Sequence, residues 1–284
     1  MTHDVLPDIA GLAAIKADPA GAVVGLDFDG TLAPIVPDPA DARVDPHAAA
    51  ALVRLGGLVG GVVIVTGRPA ATAIAYGEVP GGPGLADVPG LVVLGQYGLE
   101  RWEDGQVTSP PPPPGVERVR AGLPGLLASL GVTVTDGAEP GVTIEDKGRA
   151  VAVHTRRAPD PEGTLLALRE PLAKLAGESG MLVEPGRLVL ELRPAGMDKG
   201  HALGGFLAER FARSVLFAGD DLGDLAAFEA VRLSGLPGVT VCSASTEVTA
   251  LAERADLVVD GPAGVAALLS ALADAVDERS PRDG

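Results

Sequence analysis

Two aspartates, Asp27 and Asp29, stand two positions apart at the end of the apolar run 22–27. Because side chains at positions i and i+2 of a strand point to the same side, both carboxylates can converge on one point. Close carboxylates repel, and each raises the pKa of the other unless a cation lies between them. The pair therefore indicates a divalent-metal site with oxygen ligands, and Mg²⁺ is the usual ion where phosphate is handled. A simple Asp-Gly turn is the alternative interpretation of this segment.

Two further motifs carry positive charge. Thr66-Gly67-Arg68 follows the run 61–65, where a hydroxyl and a backbone amide can hold a phosphate oxygen and the guanidinium can add a cation. Asp198-Lys199-Gly200 precedes a helical stretch. A lysine at a helix N-terminus is slightly disfavoured by the helix dipole, a placement that makes sense if the ammonium faces an anion. Taken singly, an ordinary turn and a solvated surface lysine explain these motifs equally well.

A cluster of acids forms the fourth motif. Gly219-Asp220-Asp221-Leu222-Gly223-Asp224 follows the apolar run 215–218 directly. Three carboxylates at the end of a buried strand would repel without a cation, although acids also favour a helix N-terminus. Each motif alone is a modest signal. The four together, each at a predicted strand end or helix start, indicate a phosphate-handling site.

The elements that must position these residues alternate along the chain. Short runs rich in Val and Ile occur at 22–27, 61–66, 91–94, 214–219, 238–242 and 256–259, and stretches of helical composition occur at 46–58, 69–76, 198–212 and 222–233. This alternation predicts an α/β fold with a parallel sheet covered by helices on both faces. Such sheets bind ligands beyond the carboxyl ends of their strands, where the four motifs are expected.

A second unit interrupts this pattern. The proline-rich segment 109–115 predicts a stiff hinge, after which helices near 116–130 and 160–178 accompany strand-like runs at 141–146, 149–156, 181–184 and 187–193. Turns are predicted at 146–148 and 185–186. We therefore expect a discontinuous core of residues 1–108 and 194–284 and an inserted α+β domain of residues 109–193 that determines substrate specificity.

Charge and composition exclude several classes of function. The chain has 284 residues and a net charge of −16, and it shows no basic patch suited to nucleic acid or an anionic membrane surface. Its single cysteine excludes an internal disulfide and fits a reducing compartment. No run is long enough to predict a membrane helix, and no signal-peptide pattern opens the sequence. A cytoplasmic protein is expected.

The four motifs, in this order and spacing, resemble those of the haloacid-dehalogenase superfamily of phosphotransferases. The resemblance implies a Rossmann-like core with an inserted cap domain. It implies that Asp27 attacks phosphorus, that Asp29 serves as general acid and then base, and that Thr66 and Lys199 hold the phosphoryl group. Asp27, the backbone carbonyl of Asp29, and Asp220 would ligate Mg²⁺, with Asp221 and Asp224 nearby.

Segments of the insert sharpen this resemblance. The strings Gly141–Lys147, His154-Thr155-Arg156 and Glu191-Leu192-Arg193-Pro194 look like cap signatures of trehalose-6-phosphate phosphatases, and the start Asp27–Ile35 is similar to theirs. The residues then expected to bind substrate are Arg68, Glu145, Lys147, His154, Arg156, Glu191 and Arg193. The solvated face of an antiparallel sheet is the alternative interpretation of the cap polar groups, and a structural histidine is the alternative for His154.

The predicted reaction is Mg²⁺-dependent hydrolysis of trehalose 6-phosphate through an aspartyl-phosphate, and the resemblance suggests a functional pairing with trehalose-6-phosphate synthase. Three departures from the family pattern bear on specificity: Tyr97 in place of histidine, and Gly223 and Leu225 in the fourth motif. A phosphatase for another sugar phosphate or pseudo-disaccharide phosphate therefore stays open. So does a non-catalytic sugar-phosphate sensor, although a sensor has no need of both a nucleophile and an acid.

Overall fold

The computed structural model describes residues 6–109, 111–194, 198–244 and 249–278. In chain order the strands are β1 Ala22–Leu26, β2 Gly61–Val65, β3 Leu91–Gly95, β4 Glu100–Glu103, β5 Gln106–Thr108, β6 Thr143–Asp146, β7 Val151–His154, β8 Met181–Gly186, β9 Val189–Pro194, β10 Ser214–Gly219, β11 Gly238–Ser243 and β12 Leu257–Val259. The helices are α1 Ala10–Ala17, α2 Pro46–Gly56, α3 Ala70–Tyr76, α4 Pro114–Ser129, α5 Pro161–Glu178, α6 Lys199–Glu209, α7 Leu225–Leu233, α8 Thr249–Ala252 and α9 Gly261–Asp277. None of the helices within these ranges is long and apolar enough to cross a membrane.

The chain divides into two compact units, residues 1–109 with 198–284 and residues 110–197. The first contains an eight-stranded sheet in the order β12-β11-β10-β1-β2-β3-β4-β5. Its strands are parallel from β12 to β3, and β4 and β5 extend it antiparallel. The predicted α/β class with a parallel sheet is confirmed. The antiparallel hairpin and the helices α1 and α9 were not predicted.

Apolar side chains cover both faces of this sheet. In β2, Val62 and Ile64 belong to the core that contains α1, α2 and α9, whereas Val63 and Val65 belong to the core that contains α6 and α7. A strand buried on both faces must be apolar throughout, which explains why the Val-rich runs predicted the sheet. Strands β1 and β2 are therefore apolar throughout, and the polar candidate residues follow beyond their carboxyl ends.

The inserted unit has an antiparallel sheet in the order β6-β7-β9-β8. One face packs on α4 and α5 through a core that includes Val151, Val153, Leu190 and Leu192. The turn predicted at residues 146–148 lies between β6 and β7. The turn predicted at 185–186 is wrong, because β8 and β9 pair as far as Gly186 and Val189 and the turn residues are 187 and 188.

This displaced turn has a local consequence. Leu188 has a φ of 58°, a left-handed conformation that leucine rarely adopts. Leu188 therefore lies in the turn before β9 and does not belong to the core that contains Leu190 and Leu192. At the other end of the unit, helix α4 begins at Pro114, inside the predicted proline hinge, and Pro110 lies outside the described residues.

Candidate active site

Asp27 stands at the carboxyl end of the central strand β1. Its backbone N–H donates to the carbonyl of Ala218 on the neighbouring strand β10 at 2.9 Å, which extends the ladder by one residue. Its side chain is only 6% exposed and lies against the ammonium of Lys199, with 2.9 Å between Lys199 Nζ and Asp27 Oδ1. The sequence-predicted nucleophile and the predicted phosphate-holding cation are thus in direct contact.

Asp224 is the second partner of Lys199. Its Oδ1 accepts a hydrogen bond from Lys199 Nζ at 2.8 Å. Its Oδ2 accepts from the backbone N–H groups of Asp220 and Asp221, at 3.0 and 3.2 Å. The sequence placed Asp224 only near the site, whereas the structure makes it the group that ties the lysine to the acidic loop. Gly219 permits this approach, because a Cβ there would lie 2.3 Å from Asp224 Cγ.

Lys199 begins helix α6, as the sequence predicted. Asp198 caps the helix by accepting from the N–H of His201 at 2.7 Å. Gly200 allows α6 to approach α7, since a Cβ there would lie 2.3 Å from the carbonyl oxygen of Ala226. Burial lowers the pKa of Lys199, but the charges of Asp224 and Asp27 outweigh it and raise the pKa overall. The ammonium therefore stays charged.

The carboxylates of Asp27, Asp220 and Asp224 fit a divalent cation. One oxygen from each lies within 4.8 Å of the others, and all three residues are buried. Burial and the charges of Asp224 and Asp221 raise the pKa of Asp220 to about 8. Burial, with the charges of Asp224 and Asp220, also raises the pKa of Asp27 despite Lys199. One ammonium does not balance three buried carboxylates, and a bound cation would supply the missing charge.

Gly30 brings the loop after β1 against this cluster. Its φ is 72°, and a Cβ at this position would lie 2.0 Å from Asp220 Oδ2. Its carbonyl accepts from the hydroxyl of Ser243 at 2.6 Å, a buried contact from the end of β11 that the sequence did not reveal. The glycine is therefore required for the close approach of the two metal-site loops.

Thr66 and Arg68 follow β2, the neighbour of β1. Thr66 is buried, and its Oγ1 accepts from the backbone N–H of Arg68 at 3.1 Å. The role of this hydroxyl in holding the phosphoryl group stays a prediction. The guanidinium of Arg68 forms a bidentate ion pair with Asp29 at 2.6 and 2.7 Å, and its predicted contact with substrate stays a prediction.

A strained loop supports this motif, and sequence analysis missed it. Gln96 and Tyr97 have φ values of 48° and 58°. The Gln96 N–H donates to the carbonyl of Arg68, and the Gln96 amide donates to Glu100, whose other oxygen accepts from the N–H of Ala70. Glu100 thus ties this loop to the start of α3. Only the neighbouring glycines hinted at unusual backbone here.

The predicted cap residues lie on one sheet of the inserted unit. Glu145 and Glu191 flank Ala152 across three strands and so share the face opposite the apolar core. Glu191 is buried, and its Oε2 lies 2.5 Å from Lys147 Nζ. His154 Nε2 lies 2.9 Å from Glu145 Oε2. Two pairs of donors and acceptors therefore stand on this polar face.

The two remaining cap arginines have different surroundings. Arg193 shares the face of Glu191, and its guanidinium donates to Glu184 at 2.7 Å. Arg156 is exposed in the turn after β7. The structure thus brings together Glu145 with His154 and Lys147 with Glu191, and it gives Arg193 a partner that the sequence did not indicate.

Comparison with known proteins identifies the family. A family model described as trehalose-phosphatase matches residues 135–262. A probable trehalose-phosphate phosphatase of Sinorhizobium fredii is 36% identical over 230 residues, covering 79% of this chain and 80% of that protein. The chain belongs to the trehalose-phosphatase family. A trehalose-phosphate phosphatase of Mycobacterium avium is 34% identical over 89% of this chain, which spans only 62% of that relative's length.

Solved structures agree with the family at the level of fold. The trehalose-6-phosphate phosphatase of Aspergillus fumigatus superposes with a TM-score of 0.68 at 23% identity, covering 95% of this chain and 98% of the other. A haloacid dehalogenase-like hydrolase of Bacteroides thetaiotaomicron gives 0.61 at 18% identity, covering 87% and 98%. The predicted core with an inserted cap is confirmed. As a member of the trehalose-phosphatase family the chain is a phosphatase, which disfavours the non-catalytic sensor.

Proposed function

We propose that this chain hydrolyses trehalose 6-phosphate to trehalose and phosphate, with Mg²⁺ as cofactor and an aspartyl-phosphate on Asp27 as intermediate. The observation that carries the proposal is the buried contact of Asp27 with Lys199 beside Asp220. A buried carboxylate placed against a cation and two further carboxylates suits attack on a phosphate dianion. Catalysis of such an attack depends mainly on neutralisation of the phosphoryl charge and on positioning of the reacting groups.

The proposed reaction gives each of these groups a role. Asp27 attacks phosphorus, and the P–O bond to the sugar breaks as Asp29 donates a proton to the leaving oxygen. Asp29 then takes a proton from the water that attacks phosphorus, and the bond from phosphorus to Asp27 breaks. Lys199 and the Thr66 hydroxyl hold the phosphoryl oxygens. Mg²⁺, held by Asp27, Asp220 and the backbone carbonyl of Asp29, would supply neutralisation of phosphoryl charge.

We assign the cap residues to the sugar. Glu145, His154, Lys147 and Glu191 offer both acceptors and donors on one face, and sugar hydroxyls need both. Arg156 and Arg193 are proposed to bind the same ligand.

Substrate comparison tests the proposal. Phosphate release from trehalose 6-phosphate, sucrose 6-phosphate and glucose 6-phosphate is measured with Mg²⁺ and with EDTA. We expect a strong preference for trehalose 6-phosphate and no turnover in EDTA. Comparable rates on all three would remove the disaccharide assignment. Asp27→Asn should abolish turnover while circular dichroism stays unchanged, and substantial residual turnover would refute the covalent mechanism.

Another sugar phosphate or pseudo-disaccharide phosphate is the second candidate. It is favoured by Tyr97, whose hydroxyl lies 2.9 Å from where a Cβ on Gly67 would stand, in the loop next to Thr66. A phenol in place of the family's histidine changes the hydrogen-bonding groups beside that loop. A cytoplasmic location and a functional pairing with trehalose-6-phosphate synthase remain predictions.

A further inference from the structure

The guanidinium of Arg68 contacts four residues of the core unit. Its Nε and Nη2 donate to the two carboxylate oxygens of Asp29, at 2.7 and 2.6 Å. Nη2 also donates to the backbone carbonyl of Pro39 at 2.9 Å. The guanidinium carbon lies 5.6 Å from the centre of the Phe28 ring and 4.9 Å from that of Tyr76. A planar cation with these neighbours has one orientation.

This arrangement determines the orientation of Asp29 in turn. A fork of two parallel N–H···O bonds fixes the plane of the carboxylate as well as its position. The Arg68 side chain is 14% exposed, whereas that of Asp29 is 41% exposed. The arginine is thus the packed anchor, and the carboxylate keeps a face open to solvent. Each carboxylate oxygen accepts one bond from the fork and retains a second lone pair for a proton.

We propose that Arg68 is a positioning residue for proton transfer by Asp29 and not a ligand of the substrate phosphate. The inference rests on the proposed function, since it concerns the proton that Asp29 gives to the leaving oxygen as the P–O bond breaks. It corrects the role predicted from the sequence, where an arginine after a hydroxyl and a glycine indicated a phosphate cation. The cation that faces Asp27 is Lys199, and Arg68 serves the second aspartate.

The test compares two leaving groups. A sugar alkoxide must be protonated as it departs, whereas p-nitrophenolate departs without a proton. For wild type, Arg68→Gln and Arg68→Lys, kcat/KM is measured on trehalose 6-phosphate and on p-nitrophenyl phosphate. This parameter reports only the steps up to formation of the aspartyl-phosphate, so the later water attack does not enter. The inhibition constant of inorganic phosphate is measured alongside.

We expect the ratio of the two kcat/KM values to fall at least about tenfold in both variants, since a positioned general acid contributes roughly 10²–10⁴-fold. Lysine keeps the charge but not the fork, so Arg68→Lys should resemble Arg68→Gln. The inhibition constant of phosphate should stay within about threefold, because Arg68 does not touch the phosphoryl group. Arg68→Lys also keeps the inference testable if the glutamine variant fails to fold.

Arg43 provides a matched control. Its guanidinium also lies over the ring of Tyr76, 4.7 Å from the ring centre, and donates to the backbone carbonyls of Ala40 and Ala42. Arg43→Gln disturbs the same packing without touching Asp29, and the ratio should not change.

Two results would overturn the inference. Equal losses on both substrates with weaker phosphate inhibition would make Arg68 a phosphate ligand. Equal losses with unchanged inhibition would make it a structural residue only. Failure of the proposed function is recognised separately, because it appears in the wild-type enzyme as absence of Mg²⁺-dependent turnover. That outcome would remove this inference as well.

Discussion

Replacement of Asp220 by asparagine should stabilise the metal-free protein at neutral and alkaline pH. Asp220 is buried, and burial with the charges of Asp224 and Asp221 raises its pKa to about 8 from an ordinary value of 3.8. A folded-state pKa above the unfolded value means that the native state binds the proton more tightly. Stability is therefore fully present below about pH 4 and is lost as pH rises through about 8.

The magnitude follows from these two values. Because the unfolded state releases this proton above about pH 4 and the native state keeps it, the unfolding free energy of the metal-free protein falls by about 2 kcal/mol at pH 5 and about 5 kcal/mol at pH 8, at about 1.4 kcal/mol for each pH unit between the two pKa values. Asparagine keeps the shape and cannot ionise. The difference in unfolding free energy between Asp220→Asn and wild type should therefore grow by about 3 kcal/mol from pH 5 to pH 8.

Urea denaturation in EDTA at pH 5, 6, 7 and 8 measures this difference. Saturating Mg²⁺ should remove the loss of stability at pH 8 in wild type and have little effect on the variant. Asp41→Asn is the matched control, because Asp41 is exposed and the charges that raise the pKa of Asp220 are those of Asp224, Asp221 and Asp29, so the difference should stay flat with pH. A difference that is flat with pH, or a variant less stable than wild type at pH 8 in EDTA, would refute the reasoning.

Three further predictions concern other parts of the molecule. Gly30→Ala should abolish Mg²⁺ binding measured by calorimetry, because its Cβ would lie 2.0 Å from Asp220 Oδ2, and unchanged affinity would contradict the geometry. Glu191→Gln removes the counterion of Lys147, so KM for trehalose 6-phosphate should rise roughly tenfold while turnover of p-nitrophenyl phosphate stays within about twofold. The hydrogen bonds and charge of Arg120 on α4 lower the pKa of Asp146. The stability that this half-exposed pair contributes is therefore present above about pH 4 and lost below it. Asp146→Asn should lower the unfolding free energy by less than about 1 kcal/mol at pH 7 and should not lower it at pH 3. Thermal denaturation at the two pH values measures the difference.

The central strands and the polar residues that follow them could be predicted because both depend on local sequence patterns. A strand buried on two faces must be apolar, so β1, β2 and β10 stand out as Val-rich runs. The first polar residue after each run marks the sheet edge. Asp27, Thr66 and Asp220 were located in this way, and the parallel register then brings them to the same side of the sheet.

Elements without a strong pattern were missed. The hairpin of β4 and β5 has short polar strands, although its Asp104-Gly105 turn, with φ values of 49° and 77°, carries the usual hairpin signal. The turn between β8 and β9 was misplaced because a proline and a glycine lie just before it. The actual turn holds Leu188 in a left-handed conformation, which strand pairing imposes against local preference.

Contacts between side chains that lie far apart in the sequence could not be predicted from local sequence patterns. Spacing indicated that Arg68 and Lys199 are near an anion, but it could not decide which anion each one meets. The aspartate that pairs with Arg68 lies 39 residues away along the chain, and Asp224 lies 25 residues from Lys199. Such pairings depend on how loops from different strands meet, and only the folded chain determines that.

These pairings give Asp27 and Asp29 different surroundings, although the two side chains are the same. Asp27 is almost fully buried against a lysine, a compact charge that can turn from the carboxylate toward a transferred phosphoryl group. Asp29 is held by the rigid fork of an arginine, which fixes its plane, and 41% of its side chain is exposed to solvent. A carboxylate nucleophile is favoured by burial and by a cation that can move from it to the phosphoryl group. A general acid and base needs access to the leaving group and to water, and a carboxylate plane that is fixed. In the proposed reaction, the two positions that follow β1 therefore have different roles because different loops bring them different cations.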